Sequence, residues 1–185
     1  AAAKDIAELQ EGMADASGRV AAYTSNELIS LVQIAKGTGL QNAEVSKLVG
    51  SMEKFGLTVE SSKNLIEESV NSTAKLGLNS NAVLKKLSAN IDKINSYRFD
   101  KGIKGIEEMA KASEKFRFSM DGAFAAADKF RTLEGLLEAG ATLRVLGGEF
   151  AKMDEFKLSF LARNKPQEFA TEMAKLTKGM ATFNK

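Results

Sequence analysis

The chain has 185 residues, with 26 basic and 24 acidic side chains, a formal net charge of +2 and a hydrophobic share of 44%. Near-balanced charge supplies no electrostatic reason for a nucleic-acid or acidic-membrane partner, and the apolar share can build a core in one large domain or two small helical ones. The absence of cysteine and histidine excludes disulfides, thiolate chemistry, and the commonest general base and metal ligand.

Apolar residues recur at helical spacing from end to end, no stretch alternates with period two, and Pro166 is the only proline. The longest apolar runs, such as Ala123 to Ala127, fall far short of the roughly 20 residues that span a bilayer. No signal-peptide pattern opens the chain, and the start at Ala1, Ala2, Ala3 and Lys4 reads as the interior of a longer protein.

A first helix is expected over 4–17, with Ile6, Leu9, Met13 and Ala16 three and four apart. Gly12 is expected in a fraying part of it, so that Gly77→Val should cost more stability than Gly12→Val. Thr24 and Glu27 form a capping-box pattern ahead of a helix showing Leu28, Leu31, Val32 and Ala35. The next helix shows Val45, Leu48, Val49, Met52 and Phe55. After Thr58 comes a face of Val59, Ile66, Val70 and Ala74, and after Asn79 one of Leu84, Leu87, Ile91 and Ile94.

A Gly-Leu pair followed by a small polar residue separates these helices three times: Gly39 and Leu40 before Gln41 and Asn42, Gly56 and Leu57 before Thr58, Gly77 and Leu78 before Asn79. Glycine adopts the left-handed conformation that ends one helix, the polar residue caps the next, and the leucine packs across the joint.

The punctuation stops near Tyr97 to Lys101. That shift suggests an N-terminal subdomain over 1–97 and a C-terminal one over 98–185. Residues 101–117 carry Ile103, Ile106, Met109, Ala110 and Phe116. A break at Ser119 to Gly122 precedes Phe124, Ala127 and Phe130. Gly135 and Gly140 then either weaken a helix by about 1 kcal/mol each or admit a close neighbour. Gly147 and Gly148 are a firm stop. A last pair of helices is expected over 149–162 and 166–181, the second starting around Asn164 and Pro166 and showing Phe169, Met173, Leu176 and Met180. The expected fold is all-α, with about eight short helices in antiparallel hairpins and bundle-like layers.

Chemistry-bearing clusters are weak. Glu134 and Glu138, at i and i+4, would suit a hard cation or a shared proton, but a solvated helix face is the simpler reading. Arg98, Lys101, Lys104, Lys111, Lys115 and Arg117 form the densest basic region, diluted by Asp100, Glu107, Glu108 and Glu114. Tyr97, Phe99, Phe116 and Phe118 would suit stacking on bases, yet core packing explains them as well. The glycines at 102 and 105 and at 147 and 148 fit no phosphate loop. An enzyme would have to work with Asp, Glu, Lys or Tyr alone. No catalytic residue, cofactor or metal is therefore expected, and the junction residues carry only structural roles.

The Gly-Leu-polar string over about 37–97, with Ala35, Gly39 and Leu40 and then Gly77, Leu78 and Asn79, resembles the helical modules of phage tail tape measure proteins. Leu133 to Ala139, Leu143 to Leu146, Ala162 to Asn164, Phe169 to Glu172 and Gly179 to Phe183 are similar, in that order, to a stretch of large-phage tape measure proteins. The resemblance covers about 130 residues. It implies a structural segment of a tail-interior virion protein, assembled in the host cytoplasm, that helps set tail length and leaves during genome ejection. It also implies contacts with other tail proteins, self-association in the particle, and no small-molecule substrate or membrane contact. The other reading is a helical adaptor or scaffold binding a partner protein through an exposed apolar groove.

Overall fold

The computed structural model describes residues 2–18, 23–148 and 150–183, with the side chains of 2, 150 and 177–183 excepted, and these residues are all-α. They form ten α-helices and two short 3-10 turns, rather than about eight helices, because every punctuation mark in the sequence breaks the chain. The chain divides into two compact units between Asp92 and Lys93, a few residues ahead of the expected boundary.

The first unit holds α1 (Ala2–Ser17), α2 (Ser25–Thr38), α3 (Asn42–Lys54), α4 (Val59–Lys75) and α5 (Ser80–Asn90). A 3-10 turn over Ile91–Asn95 follows α5 and shortens it relative to the expected seam. Contacts between alternate helices fix the layout. Asn42 Nδ2 donates to Glu8 at 3.0 Å, Ser46 Oγ donates to the Leu9 carbonyl at 3.3 Å, and Gly50 meets Ala16. α1 and α3 are therefore parallel. Ser88 Oγ donates to the Glu44 carbonyl at 3.2 Å and Ser51 Oγ to Asp92 at 3.2 Å, so α5 continues that layer in the same direction. α2 and α4 also run parallel: Lys63 donates to Gln33 at 3.1 Å, and farther along Val70 shares a cleft with Gly37 and Thr38. Two and a half helix pairs thus stack in two layers, as in helical-repeat proteins.

The α1–α3 contact is close because small residues line it. A Cβ on Gly12 would stand 2.7 Å from Ser46 Oγ, and one on Gly50 would stand 2.6 Å from the Ala16 Cβ. Leu9 and Met13 beside them are fully buried. Gly12 is therefore part of a packed interface and not of a fraying end; at Gly77 a Cβ would meet nothing, but its φ of 68° strains any side chain, so the two positions resist Val for different reasons.

Two other faces differ from the spacing. In α2 the buried residues are Leu28, Leu31 and Ile34, with Val32 and Ala35 only half-buried. In α4, Ala74 is exposed and the buried stripe is Val59, Ser62, Ile66, Ser69 and Thr73. Those hydroxyls escape a search for apolar residues, yet they fit a tight helix contact that a leucine would hold apart.

The second unit holds α6 (Ile103–Phe116), α7 (Met120–Arg131), α8 (Leu133–Leu146), α9 (Glu155–Asn164) and α10 (Pro166–Phe183), with a 3-10 turn over Phe150–Lys152. Its core is aromatic. Tyr97 and Phe124 stand 4.5 Å apart between ring centroids, Phe99 meets Phe124 edge-on at 6.4 Å, and Phe130 meets Phe169 at 5.3 Å. The expected penultimate helix is shorter than 149–162. Glu149 lies outside the described residues, and α9 starts only where Asp154 caps it through Lys157 N–H at 3.0 Å. Pro166 opens α10, where its missing N–H costs nothing. Phe169 and Ala170 are buried, whereas Met173 and Leu176 are half-buried and the side chain of Met180 lies outside the description.

Candidate interaction surface

The helix junctions come first, because they place every face. Gly56 and Gly77 take positive φ of 87° and 68°. Leu57 N–H donates to the Met52 carbonyl and Leu78 N–H to the Thr73 carbonyl, both at 3.2 Å, while each glycine donates to the carbonyl three residues back at 2.9 Å. This is the double bond of a Schellman ending. Gly39, at φ 70°, ends α2 through one bond to the Ala35 carbonyl at 3.0 Å. Thr58 and Asn79 then cap α4 and α5 by accepting from Ser61 and Ala82 N–H, both at 3.1 Å. At the first joint the start is Gln41 rather than Asn42, and Glu44 reaches back to the Gln41 N–H at 2.9 Å. Leu40 is buried, and Leu57 and Leu78 are half-buried across their joints.

The same geometry recurs once more without glycine. Arg117 is the only non-glycine residue at positive φ among those described, at 58°. Phe118 N–H donates to the Ser113 carbonyl at 3.2 Å, and Ser119 caps α7 through Gly122 N–H at 3.3 Å. Arg117, Phe118 and Ser119 thus do what Gly, Leu and a polar residue do elsewhere, and the punctuation does not stop at residue 97. Gly147 and Gly148, at φ 69° and 58°, end α8 as expected.

The clusters weighed for chemistry spread apart or pair internally. Glu134 and Glu138 are exposed, and neither carboxylate has an ion partner among the described residues. The basic region is stitched to acids: Lys101 pairs with Glu108 at 2.8 Å, and Lys111 pairs with the buried Glu107. Tyr97 and Phe99 are buried in the aromatic core instead of presenting faces outward. No group of three or more acidic residues that could hold a metal ion occurs among the described residues. No helix of the described chain is long and apolar enough to cross a membrane.

Two clefts remain. One of about 270 Å³ lies between α2 and α4, lined by Gln33, Ile34, Gly37, Thr38, Ile66 and Val70 among others. The other, of about 210 Å³, lies between α6 and α10. There the buried Gln167 donates to Asp100 at 2.6 Å, while its carbonyl oxygen has no partner and no access to solvent. Comparison with protein-family models, curated proteins and solved structures finds no match.

The most conspicuous surface is apolar. α8 and α9 carry most of the exposed large hydrophobic residues of the described chain: Leu133, Leu137, Val145, Leu146, Phe156 and Phe160. A Cβ on Gly140 would run into the Glu155 carboxylate, which also pairs with Arg144 at 2.9 Å. At the other end Arg163 donates to the Arg131 carbonyl at 2.7 Å, just ahead of α8. α9 therefore lies antiparallel along α8. Leu133, Leu137, Gly140 and Arg144 share one helical stripe, so the two leucines stand on the α9 side. Phe156 and Phe160 follow directly after Glu155 and Ser159, whose side chains point inward at Arg144 and the Phe130 carbonyl. The phenylalanines thus flank the same seam from the other side. Spacing alone does not reveal this face, because α8 is apolar around most of its circumference and nothing in the sequence tells which leucines face a neighbour.

Proposed function

We propose that this chain is a structural, non-catalytic segment of a tail tape measure-type protein, acting inside a phage tail through helix packing and contact with other tail proteins. The observation that carries the reading is the repeated joint. The Gly-Leu-polar motif that underlies the resemblance coincides with well-formed helix endings and caps, and these stack helix pairs in a regular order. Modules of this kind can be strung along a long chain, which suits a tail-interior protein. In the stacked form helices lie side by side, so this segment contributes less length per residue than a single straight helix would.

The exposed α8–α9 face and the α2–α4 cleft favour the second reading, an adaptor that docks a protein partner. Deleting α3 and α4 in frame from the parent gene separates the two. The first reading expects a shorter tail in electron micrographs, by at most about 1.5 Å per residue removed. Tails of unchanged length would move the assignment to the adaptor.

A further inference from the structure

The face across α8 and α9 has features that specify its occupant. Leu133, Leu137, Phe156 and Phe160 are each between 56% and 76% exposed. With aromatic side chains offering about 150–250 Å² each, these four leave on the order of 500 Å² of apolar surface in water. That lies in the upper part of the range of about 300–600 Å² for the largest apolar patch of a monomer, and such patches are often functional. One side of a standard protein interface buries about 800 Å². The patch would therefore supply more than half of one side of a stable interface.

Its border is polarised. Glu134 and Glu138 edge the patch on the α8 side, and Lys157 edges it on the α9 side; none of the three side chains has an ion partner among the described residues. Arg163, exposed, stands at the far end of α9. Because α9 runs antiparallel to α8, Lys157 lies near the level of Glu138 and Arg163 near that of Glu134. A two-fold axis along the seam lays α8 of one copy over α9 of the other. It then sets Glu138 of each copy against Lys157 of its twin, and Glu134 against Arg163. An interface of this kind is self-complementary and closes at two. A lipid surface would call for a border of one sign, rich in lysine and arginine, and this border is mixed.

We propose that two copies of this chain pair through the α8–α9 face, with the apolar stripe at the centre and the Glu138–Lys157 and Glu134–Arg163 contacts at the rim. The proposal deepens the reading of the chain as an interaction element by naming a partner. Tail length and oligomeric state are separate readouts, so either can fail while the other stands.

Sedimentation velocity of the 185-residue chain over a wide concentration range tests it. The expected result is a reversible dimer and no larger species. Leu137→Glu and Phe160→Glu should each weaken pairing at least tenfold with unchanged far-ultraviolet circular dichroism, since both side chains are already in water. Ile29→Glu, on α2, should leave pairing as it is. Glu138→Lys and Lys157→Glu should each weaken it, and the double variant should restore it. A monomer at every concentration, an open-ended series of oligomers, a dimer indifferent to Leu137→Glu and Phe160→Glu, or a charge swap without rescue would each overturn the proposal. A monomer would leave the face to a different protein.

Discussion

The two units solve helix packing with different residues. The first brings helices close by keeping side chains small. Gly12, Ala16, Ser46 and Gly50 line the α1–α3 contact, and Ser62, Ser69 and Thr73 line the buried face of α4 with hydroxyls that have no hydrogen-bond partner. The second wedges helices apart with rings: Tyr97, Phe99, Phe124, Phe130 and Phe169. The first also leaves little apolar surface in water, whereas the second exposes a whole seam. Close backbone approach gains many small contacts and tolerates no added atoms, while an aromatic core gains large burial per residue and tolerates no lost ones. The difference predicts opposite sensitivities, one to growth and one to truncation.

The largest effect should come from truncation in the second unit. Phe169 is almost completely buried against Phe130. Phe169→Ala should cost about 3–5 kcal/mol, as a cavity replaces a ring that α7 and α10 close around. Chemical denaturation gives the magnitude, and amide hydrogen exchange should speed up in α6, α7 and α10. A loss below about 1 kcal/mol would mean that the core collapses to fill the space.

Growth should be the weakness of the first unit. Gly12→Val forces α1 away from α3 at Ser46 and should cost about 1–3 kcal/mol. Gly77→Ala adds a Cβ in open space and should cost only about 1 kcal/mol, from its left-handed backbone. Denaturant midpoints decide between them. Equal or inverted midpoints would show that α1 separates from α3 freely and that small residues there do not matter.

The same contrast explains what was legible in the sequence. Local geometry was readable: the Thr24–Glu27 box is present, with Thr24 N–H donating to Glu27 at 2.8 Å, and the three Gly-Leu joints end helices where the motif says. These depend on bonds within a few residues. The all-α class followed from spacing for the same reason. What escaped depends on a neighbour. Gly12 looks like a weak spot until α3 lies against it. Ser62, Ser69 and Thr73 look like a polar face until α4 is stacked. Arg117 breaks the glycine pattern because Phe118 and Ser113, on either side of it, hold the joint. The exposed seam of α8 and α9 was hidden by excess: Leu133, Leu136, Leu137 and Leu143 all fit a core, and only Gly140 resting on Glu155 shows which stripe faces the seam.

The smallest effect shows only at high pH. Tyr97 donates to Asp128 at 2.7 Å and lies under Arg131, 5.0 Å from the ring centroid. Burial first, then the hydrogen bond to Asp128 and its charge, pushes the Tyr97 hydroxyl from 10.0 up to about 12, with Arg131 pulling the other way. The folded chain therefore holds this proton more tightly than the unfolded one. Its contribution is fully present below pH 10 and is lost as the pH rises from 10 through about 12. Lys101 and Lys165 are also raised, by hydrogen bonds to Glu108 and Glu168, and lose charge at high pH too. Comparing wild type with Tyr97→Phe removes that shared background. The variant should lose less stability than wild type between pH 10 and 12, read from urea unfolding at each pH. Parallel curves would show that the Asp128 contact opens in solution, and that the aromatic core, like the small-residue one, is held by packing alone.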